Sequence, residues 1–240
     1  MATQNIQPNT FWPQQSPIAL FHDDAVYAPF PPGYLTLDYS GAPYPGQFRD
    51  AGGHWNFVLD PLKKGTKPPR LTLGDATAEL KKVHLHTPSE HDLEGKDQAG
   101  EIHLIHEILS PTAGSTLVVL GVFFATGGTK RTPPLGDAIK QIAFFQQWEA
   151  EGRRRKQPGN GGTPLPPFAL DPRVLLPETD RWFRYEGSLT TEPYTEVVSW
   201  VVFQAPLTVS SDTLKRLKVG AHQPERDTQP VNRRFVLRNF

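Results

Sequence analysis

Apolar side chains that recur at every second residue constrain this 240-residue chain more than any other feature. A period of two is typical of β-strands that have one face in a core. The runs that carry it contain Trp55 and Phe57, Leu71 and Leu73, Val83 and Leu85, Ile102 and Leu104, and the stretch 117–124. Two later segments, 182–185 and 197–203, indicate further strands. The 25 prolines and 20 glycines favour many short elements joined by turns.

One helix is predicted over residues 135–152, where Leu135, Ile139, Ile142, Ala143 and Phe145 recur at three-to-four spacing and Gly152 is a plausible end. Residues 1–50 predict an irregular arm with one or two short strands. The expected fold class is therefore mainly β (α+β). We expect a single domain over residues 1–240, built on a large twisted, mostly antiparallel sheet with a few short helices.

Charge and composition exclude several classes of function. Lys and Arg together number 25, as do Asp and Glu, so no net charge draws the chain to nucleic acid or to an anionic membrane. The basic run 153–156 follows the predicted helix and favours a solvated helix end, so we expect no nucleic-acid partner. There is no cysteine, which excludes disulfides, thiolate nucleophiles and cysteine-ligated zinc. A metal must therefore bind His, Asp or Glu.

The longest apolar run, residues 117–125, is too short for a membrane-spanning helix, which needs about 20 residues. We therefore expect a soluble protein without a membrane partner. The first 48 residues contain no Lys or Arg and no hydrophobic stretch, so no signal peptide is visible. The protein is thus either cytoplasmic or exported with its signal removed, and its compartment and oligomeric state stay open.

Histidines on two successive predicted strands carry the chemistry. Alternate residues of a strand share a face, so His84 and His86 point the same way, and Glu101, His103 and Ile105 share a face of the next strand. The segment 92–97 is a turn signal. A hairpin centred on residues 94 and 95 sets residue 86 opposite residue 103.

His84, His86 and His103 can therefore converge on one ion, and three imidazoles on a β-sheet are a ligand set of catalytic zinc. Imidazoles that bind a metal normally donate their second N–H to a carboxylate or carbonyl. Glu101 and Glu90 are the candidate partners. His91 and His106 do not share the strand face that carries the candidate ligands, so we expect them to form structural hydrogen bonds.

With these residues the chain resembles the alpha-class carbonic anhydrases, especially their bacterial and plant branch. The resemblance runs from the motif 15–18 (Gln-Ser-Pro-Ile) through 52–54 (Gly-Gly-His) and the histidine hairpin. It continues through 187–191 (Gly-Ser-Leu-Thr-Thr) and Trp200 to Gln229, Pro230 and Asn232. It implies an enzyme that hydrates CO2 to bicarbonate.

The resemblance also implies a role for each matching residue. His84, His86 and His103 would bind Zn²⁺, with Glu101 as the partner of His103. Thr190 would accept a hydrogen bond from the nucleophile at the zinc, and Glu90 would accept the Thr190 proton. His54 would relay protons. The apolar CO2 pocket with its polar neighbour would consist of Ile105, Val119, Leu189, Val198, Trp200 and Thr191.

Some positions depart from the family pattern. Lys82 stands where the family usually has a glutamine bonded to the first ligand, so we predict either that a backbone carbonyl takes its place or that metal affinity falls. Glu192, Pro224 and Asp227 also depart from the usual residues. None of these changes removes a ligand.

Two other readings stay open. The spacing His-x-His followed by Glu90 also fits a cupin, which would bind iron or manganese. A non-catalytic binding or storage protein with the carbonic anhydrase fold is the second alternative, although relatives of that kind typically lose a ligand histidine.

Overall fold

The computed structural model describes residues 12–51, 54–110, 115–126, 135–155, 168–220 and 225–240. Its strands are β1 (Ala19–Leu20), β2 (Val26–Tyr27), β3 (Leu35–Asp38), β4 (Tyr44–Ala51), β5 (His54–Leu59), β6 (Arg70–Leu73), β7 (Ala76–His86), β8 (Asp92–Leu93), β9 (Lys96–Asp97), β10 (Gly100–Ile108), β11 (Leu117–Thr126), β12 (Phe168–Leu170), β13 (Trp182–Gly187), β14 (Val198–Val209) and β15 (Leu237–Arg238). The helices are α1 (Leu135–Arg155) and α2 (Ser211–Gly220), and Pro172–Leu175 forms a 3₁₀ turn.

A twelve-stranded sheet organises the described residues, in the order β12-β4-β5-β7-β10-β11-β14-β13-β15-β2. Strand β3 joins it through β6, which pairs with β7. Within this sheet β11 pairs with β14, and β15 with β2, in parallel, whereas the other neighbours are antiparallel. The predicted mainly β class with a mostly antiparallel sheet is confirmed.

The two faces of the central strands carry different side chains, as the period of two predicts. One face packs Val83, Leu85, Ile102 and Leu104 into the larger core, against Phe144 of α1. The opposite face of the same strands carries the three histidines. Helix α1 therefore covers the side of the sheet away from the histidines and leaves their side for other chemistry.

Helix α1 confirms the predicted helix and extends it by three residues, to Arg155. Helix α2 was not predicted. It packs its buried Leu217 into the larger core. Residues 1–50 were predicted to form an irregular arm with one or two short strands, and they instead contribute to four strands, β1 to β4. Strand β4 contains Pro45 and Gly46, which weaken its sequence signal, and pairing with β5 and β12 on its two sides stabilises it.

The predicted hairpin turn is correct, but the predicted pairing register of the two long strands that carry the histidines is wrong. Strands β8 and β9 pair across Glu94 and Gly95, both with positive φ, as a two-residue hairpin requires. The strands that carry the histidines pair Glu101 with His86 and His103 with His84, two residues from the predicted register. The reason is that the segment leading into the small hairpin is two residues longer than the segment leaving it. A register shift of two residues leaves each side chain on the same face of the sheet, so the three histidines still share a face.

Arg153 and Arg154 of the basic run form ion pairs with Glu149 and Glu151 of the same helix, at 2.8 Å in both cases. These contacts fit a solvated helix end. Within the described residues no helix has the length and apolar character needed to cross a membrane.

Candidate metal centre and active site

The three histidines meet on the face of the sheet opposite α1. His84 and His86 lie at the end of β7, and His103 lies opposite His84 on β10. One ring nitrogen from each lies within 4.8 Å of those of the other two. All three side chains are buried, His103 almost completely. The predicted convergence is therefore present, with the pairing partner corrected.

Glu101 contacts His103 from the next-but-one position of the same strand. Its Oε1 lies 3.0 Å from Nε2 of His103, so this nitrogen faces an acceptor and the lone pair of Nδ1 faces the other histidines. Burial raises the pKa of Glu101, but the neighbouring imidazoles of His91 and His103 outweigh it and hold the pKa well below its ordinary range. A Cβ added to Gly121 would lie 2.7 Å from Glu101 Oε1, so a glycine leaves room for this carboxylate.

Asn56 supplies the matching contact to His84, which sequence reasoning missed. Its Oδ1 lies 3.1 Å from Nδ1 of His84, and both residues are buried. The acceptor is thus a side-chain amide from strand β5, an outcome that differs from the backbone carbonyl that was one of the two predicted alternatives. Lys82, two residues before His84, is partly buried, and burial lowers its pKa. An ammonium group has no acceptor and cannot replace the amide.

The ring nitrogens of His84 and His103 that do not face Asn56 or Glu101 have a spacing that suits a bound metal ion. Nε2 of His84 and Nδ1 of His103 lie 3.1 Å apart, and they are the ring nitrogens opposite those that face Asn56 and Glu101. Two nitrogens bound to a tetrahedral zinc at about 2.0–2.1 Å lie roughly 3.3 Å from each other. A donor set of three imidazoles suits zinc, copper, iron or nickel, and does not suit magnesium or calcium, which prefer oxygen.

Glu90 and Thr190 form a second polar pair beside the histidines. Their side chains are hydrogen-bonded, and both are buried. Glu90 Oε2 lies 3.3 Å from Nε2 of His86. Burial raises the pKa of Glu90 to about 7, although His103 and the Thr190 hydroxyl oppose the shift. The cupin alternative needs Glu90 as a metal ligand. The Glu90 carboxylate is hydrogen-bonded to Thr190, and its Oε1 lies 3.5 Å from the backbone N–H of Arg226, while Oε2 lies beside the histidines.

An apolar cluster adjoins the histidines on the same face. It unites the five apolar residues that the sequence analysis assigned to a pocket, with Leu189 partly buried and the others buried. These are Ile105, Val119, Leu189, Val198 and Trp200. The Trp200 ring centroid lies 4.9 Å from that of His103, edge to face, and its indole N–H donates to the backbone carbonyl of Ser188. The structure therefore brings the three candidate metal ligands and the apolar residues together.

His91 and His106 form structural hydrogen bonds, as expected. His91 Nδ1 lies 2.8 Å from Glu101 Oε1, and its Nε2 lies 2.7 Å from the Tyr185 hydroxyl. That hydroxyl is hydrogen-bonded to Ser16, within the motif 15–18. A buried chain therefore runs from the N-terminal motif to the partner of His103. His106 is hydrogen-bonded to Tyr39, at 2.8 Å, and to the Leu104 carbonyl, at 3.0 Å.

Two predicted site residues, His54 and Thr191, remain to be placed. His54 begins strand β5, where it pairs with Ala51, but its side chain lies outside the described part of the structure. Thr191 is partly buried next to Thr190, and its carbonyl accepts a hydrogen bond from the backbone of Tyr194. The roles of both residues stay predictions. Of the departures, Glu192 is exposed and Pro224 lies outside the described residues.

Comparison with known proteins agrees with this geometry. A family model of eukaryotic-type carbonic anhydrases matches residues 4–240. The chain is 30% identical over 168 residues to a carbonic anhydrase of Pectobacterium atrosepticum, covering 70% of this chain. It is 30% identical over 175 residues to alpha carbonic anhydrase 3 of Arabidopsis thaliana, covering 71% of this chain.

A solved alpha-carbonic anhydrase of Photobacterium profundum superposes with a TM-score of 0.70 at 29% identity, covering 93% of this chain and 88% of that one. The matched region spans only 61% of the Pectobacterium protein and 56% of the Arabidopsis protein. The family match nevertheless covers nearly the whole chain, and the fold and the histidine cluster agree with it. The chain belongs to the eukaryotic-type, or alpha-class, carbonic anhydrase family.

Proposed function

We propose that this protein is a zinc-dependent carbonic anhydrase that interconverts CO2 and water with bicarbonate and a proton. The convergence of His84, His86 and His103 beside an apolar cluster carries the proposal. A zinc ion held by three neutral imidazoles supplies an activated water with its pKa lowered to about 7, an effect for which carbonic anhydrase itself is the standard example.

Thr190 and Glu90 would orient the nucleophile. Glu90 accepts the hydroxyl proton of Thr190, so the Thr190 oxygen is left as an acceptor for a second partner. A nucleophile that donates its proton to this oxygen turns a lone pair toward the substrate. The hydrogen bond thus selects an orientation and adds no charge to the site.

The apolar cluster would hold CO2. This substrate is linear and has no net dipole, so it binds against apolar side chains rather than to a charged group. Val119, Val198 and Trp200 are buried on the histidine face and supply such a surface, and Leu189 adds a partly buried side chain. Ile105 extends it along β10, and Thr191 would contribute the polar edge.

His54 would carry the released proton to buffer. An imidazole with an ordinary pKa near ~6.5 accepts and releases protons readily at neutral pH. Its position at the start of β5 places its backbone two residues from Asn56, which contacts His84. Proton relay depends on the His54 side chain, which the variant His54→Ala removes.

Metal analysis together with a CO2 hydration assay tests the proposal. We expect one zinc per chain and rapid hydration, both lost in His103→Ala. The matched control is His22→Ala, since His22 is partly exposed and bonded to Asp23 rather than to the cluster. Iron or manganese in the active protein would contradict the zinc assignment. Stoichiometric zinc without hydration would instead support a non-catalytic member of the family.

We also propose that residues 1–240 form one domain. The support is that a single sheet joins strands from β2, near the N-terminus, to β15, near the C-terminus. Limited proteolysis that released a stable, separately folded fragment would contradict this proposal.

A further inference from the structure

Resting on the proposed zinc site, we propose that Asn56 is the positioning residue of the first ligand: its side-chain oxygen fixes His84 in the tautomer that turns Nε2 toward the metal. The contact is direct, with 3.1 Å between Oδ1 of Asn56 and Nδ1 of His84. Asn56 is 1% exposed, so water cannot readily replace it as the acceptor.

The pairing of β5 with β7 places Asn56 there. Phe57 pairs with Val83 and Val58 pairs with Lys82, so the same register continued by one residue sets Asn56 opposite His84. Residues directly opposite each other share a face of the sheet and have Cβ atoms about 4.5–5.5 Å apart. Phe57 lies in the larger core, so Asn56 projects to the histidine face.

Lys82 explains why a residue of another strand is needed. It occupies the position two residues before His84, on the same face of β7. Its ammonium group offers three donors and no acceptor, so it cannot receive the Nδ1 proton of His84. Asn56 does so from the neighbouring strand.

The consequence is a preorganised pair of ligands. Glu101 lies against Nε2 of His103, and Asn56 lies against Nδ1 of His84, so opposite nitrogens of the two rings are left to face each other at 3.1 Å. Without Asn56, His84 could move its proton to Nε2 and donate it to His103. Zinc would then have to displace that proton and break that contact before it could bind.

The test measures zinc affinity by chelator competition and the His84 tautomer by ¹⁵N NMR of the metal-free protein. We expect Asn56→Leu to weaken zinc binding by about 10–100-fold, the range typical for loss of such a partner. It should also shift the His84 ring from the Nδ1–H form to a mixture. Asn56→Asp keeps an acceptor and should retain both properties. Ser199→Ala, which removes the hydrogen bond from the buried Ser199 to Glu186, is the control for a merely structural effect.

A rescue variant separates positioning from folding. In the double variant Asn56→Leu with Lys82→Gln, the amide returns to β7 and zinc affinity should recover, whereas Lys82→Gln alone should leave it unchanged. Wild-type zinc affinity and tautomer in a folded Asn56→Leu, or equal tightening by Lys82→Gln in both backgrounds, would overturn the proposal. A wild-type protein that binds no zinc would instead refute the proposed function on which it rests.

Discussion

Glu101→Gln tests whether the buried carboxylate supports the proposed metal centre. Glu101 is completely buried and faces four donors. Its Oε2 accepts from the backbone N–H groups of Glu90 and His91, at 3.2 and 2.9 Å. Its Oε1 lies 2.8 Å from Nδ1 of His91 and 3.0 Å from Nε2 of His103. Glutamine has the same shape but replaces one acceptor oxygen with a donor, so it cannot serve all four groups.

The two orientations of the new amide have different costs. If the NH₂ group faces the backbone, two buried N–H donors lose their acceptor, at about 1–3 kcal/mol each in stability. If it faces the imidazoles, His103 must accept at Nε2 and carry its proton on Nδ1, where it blocks metal binding. Loss of such a partner typically weakens metal affinity by ~10–100-fold. The second orientation leaves the backbone bonds intact, so we expect the loss to fall mainly on zinc affinity.

Chelator competition and thermal unfolding of the metal-free protein measure the two costs separately. Glu149→Gln is the matched control, because Glu149 of α1 forms ion pairs with the well-exposed guanidinium groups of Arg153, at 2.8 Å, and Arg216, at 3.7 Å, and its loss should cost about 1 kcal/mol. We expect Glu101→Gln to bind zinc at least about tenfold more weakly than the control. Zinc affinity and metal-free stability both equal to wild type would show that the carboxylate does not orient His103.

Three further changes test separate parts of the site and the core. Thr190→Ala should keep its zinc but slow hydration by roughly 10²-fold, as expected for loss of one preorganised hydrogen-bonding group; full activity would remove Thr190 from the mechanism. His54→Ala should lower kcat and spare kcat/KM, with partial recovery in imidazole buffer, because proton removal and CO2 attack are separate steps. Equal losses in both constants would exclude the relay. Burial lowers the pKa of His106 to about 3, so the unfolded chain binds this proton first as pH falls below about 6.5. The metal-free protein should therefore lose about 1.4 kcal/mol of stability per pH unit from this residue between about pH 6.5 and 3, and His106→Gln should show a shallower loss in urea titrations. An identical pH slope in the two proteins would mean that folding does not lower the pKa of His106.

The sequence by itself determined which polar side chains share a face of the sheet. Side chains alternate across a strand, so His84 and His86 had to share a face with each other, and Glu101 had to share one with His103. This relation survives any register shift of two residues, which is why the three histidines converge as predicted although the predicted pairing was wrong. The absence of cysteine also restricted the ligands, since it left imidazoles and carboxylates as the candidates.

Only the tertiary structure decided which residues support the ligands. Asn56 contacts His84 because β5 pairs with β7, strands separated in sequence by β6, and no local pattern encodes that pairing. Strand β4 likewise forms in spite of its proline and glycine, because it pairs with a neighbour on each side. Local periodicity specifies which face a side chain occupies, whereas the neighbour it meets depends on long-range strand pairing, whose energy comes from contacts distant in sequence.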